Sequence, residues 1–307
     1  MVSASPIHKF KRPGNAQAVF SILIPAWNNL PYLKLCIESI RKNSRFQHQI
    51  IVHVNENKDN TLNWVKSASD LDYSFSENNI GVCYALNAAA TLAETDYIVY
   101  INDDMYACPD WDLHLFGEIK KIGHPYFFLS STAIEPYGTG NPCAIIKDFG
   151  KDIDHFDEKK LLEEFSALPM TDWQGATWPP NVVHKDIWNL VGGYSIEYSP
   201  GMYSDPDFSM KLWKMGVRLF KGLSASRFYH FGSRSARRVK KNKGYYSFIE
   251  KWGMTSGTFT KHYLKRGMPF NGPLGAPGRP SLLAWKNLYK RLVCAIRSRS
   301  MGDDFNR

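Results

Sequence analysis

Two short acidic segments hold the side chains of this sequence that are best suited to chemistry. The first, Asn102-Asp103-Asp104, directly follows the apolar run Tyr97–Ile101. Two adjacent carboxylates at the end of a strand can hold a hard divalent cation such as Mg²⁺ or Mn²⁺, and such a cation neutralises charge on phosphate oxygens. A pair of acids in a turn is also typical of a solvated surface, so the segment alone leaves both interpretations open.

The second acidic segment, Ser204-Asp205-Pro206-Asp207, precedes apolar residues at helical spacing. One of its carboxylates could act as a general base that takes the proton from an attacking hydroxyl group. The alternative is ordinary helix capping, because Ser, Asp and Pro are all favoured where a helix begins. His230 also has two interpretations, as a metal ligand or as a hydrogen-bonded histidine of the core.

A regular framework is predicted around these residues, because apolar runs alternate with amphipathic helices over residues 20–131. The strands are predicted at Phe20–Ala26, Gln49–Val54 and Tyr97–Ile101. This alternation predicts an α/β fold with a parallel, doubly wound sheet, in which ligands bind at the carboxyl ends of the strands. All three strands end in polar turns, so we expect a site there.

The composition is that of a globular protein of 307 residues with a net charge of +9. Its five cysteines are scattered without CxxC spacing, which predicts free, buried thiols and argues against a disulfide framework or a structural zinc site. No apolar run reaches the roughly 18 to 20 residues of a membrane-spanning helix. The first residues lack the apolar stretch of a secretory signal, so we expect a cytoplasmic protein.

The positive charge is concentrated in the last quarter of the chain. Basic residues recur from Arg234 to Arg266 and again from Lys286 to Arg299. Leu282–Ile296 has the pattern of a basic amphipathic helix, with one apolar stripe formed by Leu282, Trp285, Leu288 or Tyr289, Leu292 and Ile296. Such a helix is typical of peripheral attachment to an anionic membrane surface. The alternative is that the stripe packs against the rest of the protein.

Seven short segments, in this order, resemble those of the family 2 glycosyltransferases. They are Ile22-Leu-Ile-Pro-Ala-Trp-Asn28, Val54-Asn-Glu-Asn57, Asn79-Ile-Gly-Val-Cys-Tyr-Ala-Leu-Asn87, Ile101-Asn-Asp-Asp-Met105, Val191-Gly-Gly-Tyr194, Ser204-Asp-Pro-Asp207 and Phe228-Tyr-His230. The resemblance implies the GT-A fold, a Rossmann-like, mostly parallel sheet flanked by helices, here with a basic helical C-terminal extension. It also implies a domain division into an N-terminal extension, 1–18; a catalytic domain, 19–235, with a nucleotide-sugar half, 19–131, and an acceptor half, 132–235; and the extension, 236–307.

The resemblance also implies a role for each matching residue. The residues expected to line the base and ribose of the nucleotide are Pro25, Ala26, Asn28, Asn55 and Glu56. Those expected to border the ribose and diphosphate are Asn79, Gly81 and Asn87. In the acidic segment Asn102 would contact the donor, Asp103 would lie near the donor sugar, and Asp104 would bind the metal. Asp205 would be the catalytic base, and His230 matches a further metal ligand of some relatives.

Four positions depart from the family's pattern. Asn102 stands where the first aspartate is usual, and Asn55-Glu56 replaces two common aspartates. Leu86 stands where many relatives carry Arg, which removes one phosphate contact, and Ser204 replaces the Glu that often precedes the base. Since Asp104, Asp205 and His230 are all present, these departures indicate a subfamily with its own donor contacts rather than an inactive enzyme.

The resemblance implies an inverting, Mn²⁺- or Mg²⁺-assisted glycosyltransferase that uses a nucleotide-diphospho-sugar donor. The acceptor is expected to be a glycan or lipid-linked glycan of the cell envelope, reached by an enzyme attached to the inner face of the membrane. A glycoside hydrolase would also use two carboxylates, but they must flank one bond and need no metal. A nucleotidyltransferase would call for a Gly-rich, basic loop after the first strand, and Pro25-Ala-Trp-Asn-Asn29 offers none.

Two further alternatives stay open from the residues. A nucleic-acid-binding or nucleic-acid-modifying protein could use the basic tail, although the seven ordered segments make a nucleic-acid partner the less favoured interpretation. A catalytically silent nucleotide-sugar-binding protein could share the same fold. Metal-dependent turnover of a nucleotide sugar separates an enzyme from both alternatives.

Overall fold

The apolar runs of the sequence become the strands of one sheet. The computed structural model describes residues 6–14, 16–138, 140–232, 243–278 and 281–300, the last range without the side chains of 281–282 and 297–300. The strands are β1 Ile7–Phe10, β2 Phe20–Ala26, β3 Gln49–Asn55, β4 Leu71–Ser76, β5 Tyr97–Tyr100, β6 Met105–Ala107, β7 Phe127–Glu135, β8 Ala144–Ile146, β9 Trp173–Gln174, β10 Asn181–His184 and β11 Leu219–His230.

Helices cover both faces of this sheet. They are α1 Leu30–Asn43, α2 Thr61–Ser67, α3 Gly81–Ala90, α4 Trp111–Ile122, α5 Glu158–Glu164, α6 Lys185–Leu190, α7 Ser204–Met215, α8 Gly244–Trp252, α9 Ser256–Thr258 and α10 Ser281–Ser300. The helix predicted after the first strand is α1, and Pro31 lies in its first turn, where the missing N–H costs nothing. The second predicted helix is α3, with Cys83, Leu86 and Ala89 buried.

The sheet order is β1-β4-β3-β2-β5-β10-β7-β11-β6, with β8 beside β7 and β9 beside β11. The strands β4, β3, β2 and β5 are parallel, as the alternating pattern predicts, and β7 and β11 are parallel as well. Strand β10 lies antiparallel between β5 and β7. It joins the two parallel groups into one sheet.

Alternate residues of the strands pack into two apolar layers, one on each face of the sheet. In β2, Ile22 and Ile24 belong to the layer under α1 and α4, whereas Leu23 points to the opposite layer under α3 and α7. A strand that is buried on both faces reads as a continuous apolar run, which is why β2 and β3 were predictable from sequence. All five cysteines are buried and free, as predicted.

The N-terminal region contributes a strand that the sequence pattern did not predict. β1 pairs antiparallel with β4 at one edge of the sheet, although the first strand was expected only at about Val19. All four residues of β1 are exposed, so no apolar alternation marks it. The predicted N-terminal extension, 1–18, therefore extends the sheet by one edge strand.

The described part of the C-terminal region shares a core with the preceding domain. Phe248, Phe259 and Leu264 are buried in the same apolar cluster as Phe208 of α7. The predicted boundary between 235 and 236 lies outside the described residues, as do the basic residues Arg234, Arg237, Arg238, Lys240 and Lys241. No described helix is long and apolar enough to cross a membrane.

Candidate functional site

A cleft of about 490 Å³ opens at the carboxyl ends of β2, β3, β5 and β7. Eight of the residues predicted to form the site line it: Pro25, Ala26, Asn55, Asn79, Gly81, Asn102, Asp205 and His230. The fold therefore brings together residues from six separated segments of the sequence. This agrees with the rule that parallel sheets bind ligands at the carboxyl ends of their strands.

Asn28 and Glu56 act on the cleft through Trp27, which lines it. The Glu56 carboxylate accepts hydrogen bonds from Trp27 Nε1 at 2.8 Å and from Asn28 Nδ2 at 3.0 Å. These hydrogen bonds, that from Trp27 above all, hold the pKa of Glu56 below its usual range. Neither Asn28 nor Glu56 is itself a wall residue, so their position favours orientation of the Trp27 indole over direct contact with a nucleotide.

Asn87 lies outside the cleft wall and has a structural partner. Its amide nitrogen donates to the Tyr194 carbonyl at 2.7 Å, and its amide oxygen accepts from the Tyr194 N–H at 2.8 Å. A Cβ at Gly193 would lie 2.3 Å from the same amide oxygen, which explains the glycine before Tyr194. The segments Asn79–Asn87 and Val191–Tyr194 are thus linked by hydrogen bonds, and Asn87 is not among the residues that line the cleft.

The N-terminus of α3 forms one end of the cleft. Gly81 has φ +78°, and a Cβ there would lie 2.8 Å from the Pro200 Cα, so only glycine fits. Asn79 Oδ1 accepts from the Gly81 N–H at 2.8 Å, and Asn55 Oδ1 accepts from the Ile80 N–H at 3.0 Å. Together with the Val82 N–H, which donates to the Pro200 carbonyl, these N–H groups already have acceptors, so the N-terminus of α3 offers a phosphate group chiefly the positive end of its dipole.

A buried chain of ionisable groups joins Asp104, His230 and Glu135. His230 Nε2 lies 3.5 Å from Asp104 Oδ1, and His230 Nδ1 lies 3.0 Å from Glu135 Oε1. Burial disfavours protonation of His230, but the two carboxylates outweigh it and raise its pKa to about 10. Asp103 and Asp104 are both buried and neither lines the cleft, so Asp104 is linked to it through His230, and Asp103 is not at the wall where a donor sugar would be expected.

Asp104 and His230 suit a divalent cation. A carboxylate oxygen and an imidazole nitrogen are ligands that Mn²⁺ accepts, and a ligating histidine usually donates its other N–H to a carboxylate, as His230 can to Glu135. Within the described part of the chain, no group of three or more His, Cys, Asp or Glu is arranged around one ion. Asp104 and His230 would therefore supply two ligands, and the substrate and water would have to supply the rest.

Asp205 is the carboxylate of the second acidic segment that faces the cleft. It lies in the first turn of α7 and accepts a hydrogen bond from the Tyr194 hydroxyl at 3.1 Å. Burial raises its pKa to about 7, and the Tyr194 hydrogen bond offsets only part of this effect. A carboxylate with a pKa near 7 can accept a proton at neutral pH, which is the requirement for a general base.

Asp207, two residues along, has a different environment. Its side chain is fully buried, accepts from Trp252 Nε1 at 2.7 Å and lies 3.0 Å from Lys251 Nζ. Lys251 also pairs with Glu197 at 2.7 Å. Asp207 therefore attaches α8 to α7 and does not face the cleft, whereas Asp205, to which the resemblance assigns the role of base, lines it.

Several residues that line the cleft were not predicted from the sequence. They are Trp27, Val82, Tyr100, Met105, Ala133, Glu135, Gly140, Asn141, Trp178, Pro179, Pro200, Gly201, Met202, Ser204 and Arg266. Trp27 and Ser204 lie inside segments that the sequence had singled out, so their neighbours marked them. Glu135, Trp178 and Arg266 come from the end of β7 and from irregular segments, where no periodic pattern indicates which side chains turn inward.

Comparisons with known proteins agree with this geometry. The sequence model of the family described as Glycosyl transferase family 2 matches residues 21–162, and no curated protein matches the chain in sequence. The S. aureus TarS 1-349 structure matches with a TM-score of 0.51 and 16% identity, over 69% of this chain and 60% of that one. The structure of the same fragment with UDP-GlcNAc gives 0.53 and 15%, over 76% and 65%.

A third structure widens the fold comparison. GalNAc-T7, solved with UDP, GalNAc and Mn²⁺, matches with a TM-score of 0.56 and 15% identity, over 91% of this chain and 55% of that one. At such low identity the structures show the shared fold, and the GT-A architecture predicted from the sequence is confirmed. The chain spans about three fifths of the length of the TarS fragment. The family model confirms the predicted family.

Proposed function

We propose that this chain, whose residues 21–162 belong to Glycosyl transferase family 2, transfers a sugar from a nucleotide-diphospho-sugar to an acceptor hydroxyl group. The observation that supports this is the meeting of three kinds of residue in one cleft. Strand-end residues suited to a nucleotide, His230 and Asp205 line it, and the buried Asp104 lies 3.5 Å from His230. Each group has a separate task in glycosyl transfer.

The nucleotide is assigned to the end of the cleft near β2 and β3. Pro25, Ala26 and Asn55 supply a small, polar-edged wall there, and the Trp27 indole is held by Glu56. The diphosphate is assigned to the N-terminus of α3, where Gly81 lines the cleft and the positive end of the helix dipole favours a phosphate group. The relatives support this donor class, since TarS was solved with UDP-GlcNAc and GalNAc-T7 with UDP.

Asp205 is assigned the role of general base. A base with a pKa of about 7 takes the proton from the acceptor hydroxyl while that oxygen attacks the anomeric carbon of the donor sugar. Attack from the face opposite the diphosphate gives inversion in one displacement. Asp104 and His230 would hold Mn²⁺ or Mg²⁺, which when bound would neutralise charge on the departing nucleoside diphosphate.

A thermal-shift screen of UDP-, GDP-, dTDP- and CMP-sugars, with and without Mn²⁺, tests the donor assignment. We expect one nucleotide class to raise the melting temperature in a Mn²⁺-dependent manner, because binding to the native state stabilises it by mass action. Asp104→Ala should lose the Mn²⁺-dependent part of that shift. If no nucleotide stabilises the wild type, or if Asp104→Ala responds as the wild type does, the donor site is not where we place it.

The structure supports a membrane-linked acceptor through the orientation of α10. This helix attaches to α8 by one face, on which Cys294 is buried and Asn287 accepts a hydrogen bond from Thr258. From Trp285 to Ile296, where its side chains are described, the predicted apolar stripe lies on the opposite face, and Trp285 is 69% exposed and Ile296 is 71% exposed. The stripe that could have packed on the domain therefore faces outwards.

An anionic membrane surface fits this outward face. Lys286, Lys290 and Arg291 accompany the exposed aromatic and aliphatic side chains, and this combination is typical of a helix that lies in the membrane interface. We therefore include attachment to the inner, anionic face of a membrane in the proposal, with a lipid-linked or envelope glycan as acceptor. The attachment would be peripheral.

Vesicle co-sedimentation tests the membrane assignment. Wild type should bind vesicles that contain phosphatidylglycerol and not those of phosphatidylcholine alone, and binding should fall several-fold for a Trp285→Ser, Tyr289→Ser double variant. Tyr126→Ser is the matched control, since Tyr126 is a comparably exposed aromatic elsewhere. Equal binding of the double variant and the wild type would remove α10 from the proposal.

A further inference from the structure

The guanidinium of Arg266 reaches the cleft from the segment that follows α9. Its Cζ lies 4.2 Å from the centroid of the Trp178 ring, and both residues line the cleft. Gly175 makes this approach possible, because a Cβ there would lie 2.7 Å from the Arg266 Cα. In the sequence Arg266 belongs to the basic C-terminal region, yet in the fold it lines the cleft.

Arg266 differs from the other half-buried or buried arginines in what surrounds its charge. The guanidinium of Arg218 donates to the carbonyls of Trp213 and Val217, and that of Arg227 donates to three carbonyl groups. Among the described residues, no carbonyl or carboxylate accepts a hydrogen bond from the Arg266 guanidinium. Burial lowers its pKa, and the neighbouring group with the largest electrostatic effect on it is Cys143.

A half-buried guanidinium without an anionic partner is costly unless a ligand supplies the charge. The guanidinium lies over one face of the Trp178 ring, so the flat apolar surface that the ring can offer to a sugar is its other face. Asn141 and Pro179 line the same part of the cleft and add a polar amide and a rigid edge. The combination is suited to a sugar that carries a phosphate or carboxylate group.

We propose that Trp178 and Arg266 form an acceptor subsite that selects a glycan with a negatively charged group next to the sugar that presents the reactive hydroxyl. This inference rests on the proposed function, because it assigns the acceptor of that same cleft. Trp178 stacks on the sugar, and Arg266 binds the anionic group through charge-assisted hydrogen bonds. Arg266 determines specificity in this assignment and takes no part in proton transfer.

The surroundings of Arg266 favour the acceptor over the diphosphate of the donor. The diphosphate is assigned to Gly81 and to the cation held by Asp104 and His230. A guanidinium close enough to share that diphosphate would lie near these acids, whereas no carboxylate in the described ranges forms an ion pair with Arg266. Its neighbours Cys143, Gly175 and Trp178 belong to the predicted acceptor half.

A binding experiment with matched probes tests this subsite. The probes are methyl glucuronide against methyl glucoside, and sn-glycerol 3-phosphate against glycerol, measured by calorimetry or ligand-observed NMR. The protein is saturated with Mn²⁺ and the nucleoside diphosphate that the donor screen identifies. Wild type should bind at least one anionic probe about 10- to 100-fold more tightly than its neutral twin, in the range of a hydrogen-bonded charge pair.

Two variants separate the subsite from general effects of losing an arginine. Arg266→Gln should remove the preference for the anionic probe and keep the stabilisation by the nucleotide. Arg218→Gln is the matched control, because Arg218 stacks on Trp213 at 4.0 Å in the same manner but outside the cleft. It should retain the preference even if its melting temperature falls.

Three results would overturn the inference. Equal affinity of the wild type for the charged and neutral probes would remove the anion subsite. Competition between the anionic probe and the nucleoside diphosphate would assign Arg266 to the donor phosphates, and so would loss of nucleotide binding in Arg266→Gln. If no nucleotide stabilises the protein, the donor proposal fails separately, and the probes measured without nucleotide still report on Arg266.

Discussion

The two carboxylate centres of the cleft differ in how their charge is balanced. Asp104 is fully buried and lies beside His230, which in turn contacts Glu135, so two acids share one imidazole. Asp205 has one described hydrogen-bond donor, the neutral hydroxyl of Tyr194, and no described cation pairs with it. Without a cation, the two acids of the first centre favour the protonated form of His230, whose Nε2 proton a bound cation would replace, whereas the second centre keeps a carboxyl group close to its protonation point.

This difference shows how carboxylates can perform two tasks in one site, cation binding and proton exchange. A carboxylate with a fixed negative charge and a nitrogen neighbour is suited to hold a cation. A carboxylate that burial has brought to a pKa of about 7 is suited to exchange a proton. Loss of charge at Asp205 should therefore lower the rate of transfer, whereas loss of charge at the first centre should weaken metal-dependent nucleotide binding.

The largest effect is expected from Asp205→Asn. The amide is nearly isosteric and can still accept from Tyr194, but it cannot take a proton, so we expect kcat for transfer to fall about 10²- to 10⁴-fold. Donor binding, measured by thermal shift with the nucleotide sugar, should be retained. Transfer at the wild-type rate would show that Asp205 is not the base.

Asp207→Asn is the matched control for this prediction. The change removes the charge partner of Lys251 but keeps an acceptor for Trp252, so it should lower the free energy of unfolding by about 2 kcal/mol and leave kcat nearly unchanged. Urea unfolding and initial rates check both values. A collapse of kcat in Asp207→Asn with normal stability would reverse the roles that the structure gives to the two acids.

A smaller effect is expected from Glu135→Gln at the other centre. Glutamine can still accept from His230 Nδ1 but no longer supplies the negative charge. We therefore expect nucleotide binding by this variant to require an about 10-fold higher Mn²⁺ concentration. Glu118→Gln is the control, because Glu118 pairs with Lys221 outside the cleft at 2.8 Å. If both variants require the same Mn²⁺ concentration, Glu135 does not support a metal ligand.

The sequence predicted the framework better than the walls of the site. β2, β3 and β5 were found because strands buried on both faces are continuous apolar runs with sharp polar ends. β1 was missed because all its residues are exposed, and the antiparallel pairing of β10 depends on contacts with distant strands. A local sequence pattern therefore indicates a buried strand, but it does not indicate an exposed edge strand or a pairing with distant strands.

The same distinction between local pattern and distant contacts applies to the residues of the site. By local pattern alone Asp205 and Asp207 are equivalent, and contacts with distant residues distinguish them, since Asp207 accepts from Trp252, 45 positions away, whereas Asp205 lines the cleft. Asn87 matched the family's pattern, yet both ends of its amide bind the backbone of Tyr194. Arg266 carried no signal beyond its charge, because a half-buried cation in a cleft looks the same in sequence as a solvated one.

The smallest predicted effect is on stability and follows from the pKa of Asp205. Its value of about 7 in the folded protein lies above that of about 3.9 expected in the unfolded chain. Between these values the native state binds one more proton than the unfolded state, so the contribution of Asp205 to stability falls as the pH rises from about 4 to about 7. Above pH 7 the buried charge destabilises the fold.

Asp205→Asn cannot ionise and should escape this loss. We therefore expect the variant to melt a few degrees above the wild type at pH 8 and close to it at pH 5, since about 1 kcal/mol shifts the melting temperature of a protein of this size by roughly 2 °C. Calorimetry at the two pH values checks the difference, with Asp207→Asn as the control that should melt lower at both. A constant offset between Asp205→Asn and the wild type would mean that Asp205 is already ionised at pH 5, and the acid limb of the transfer rate would then lie well below pH 7.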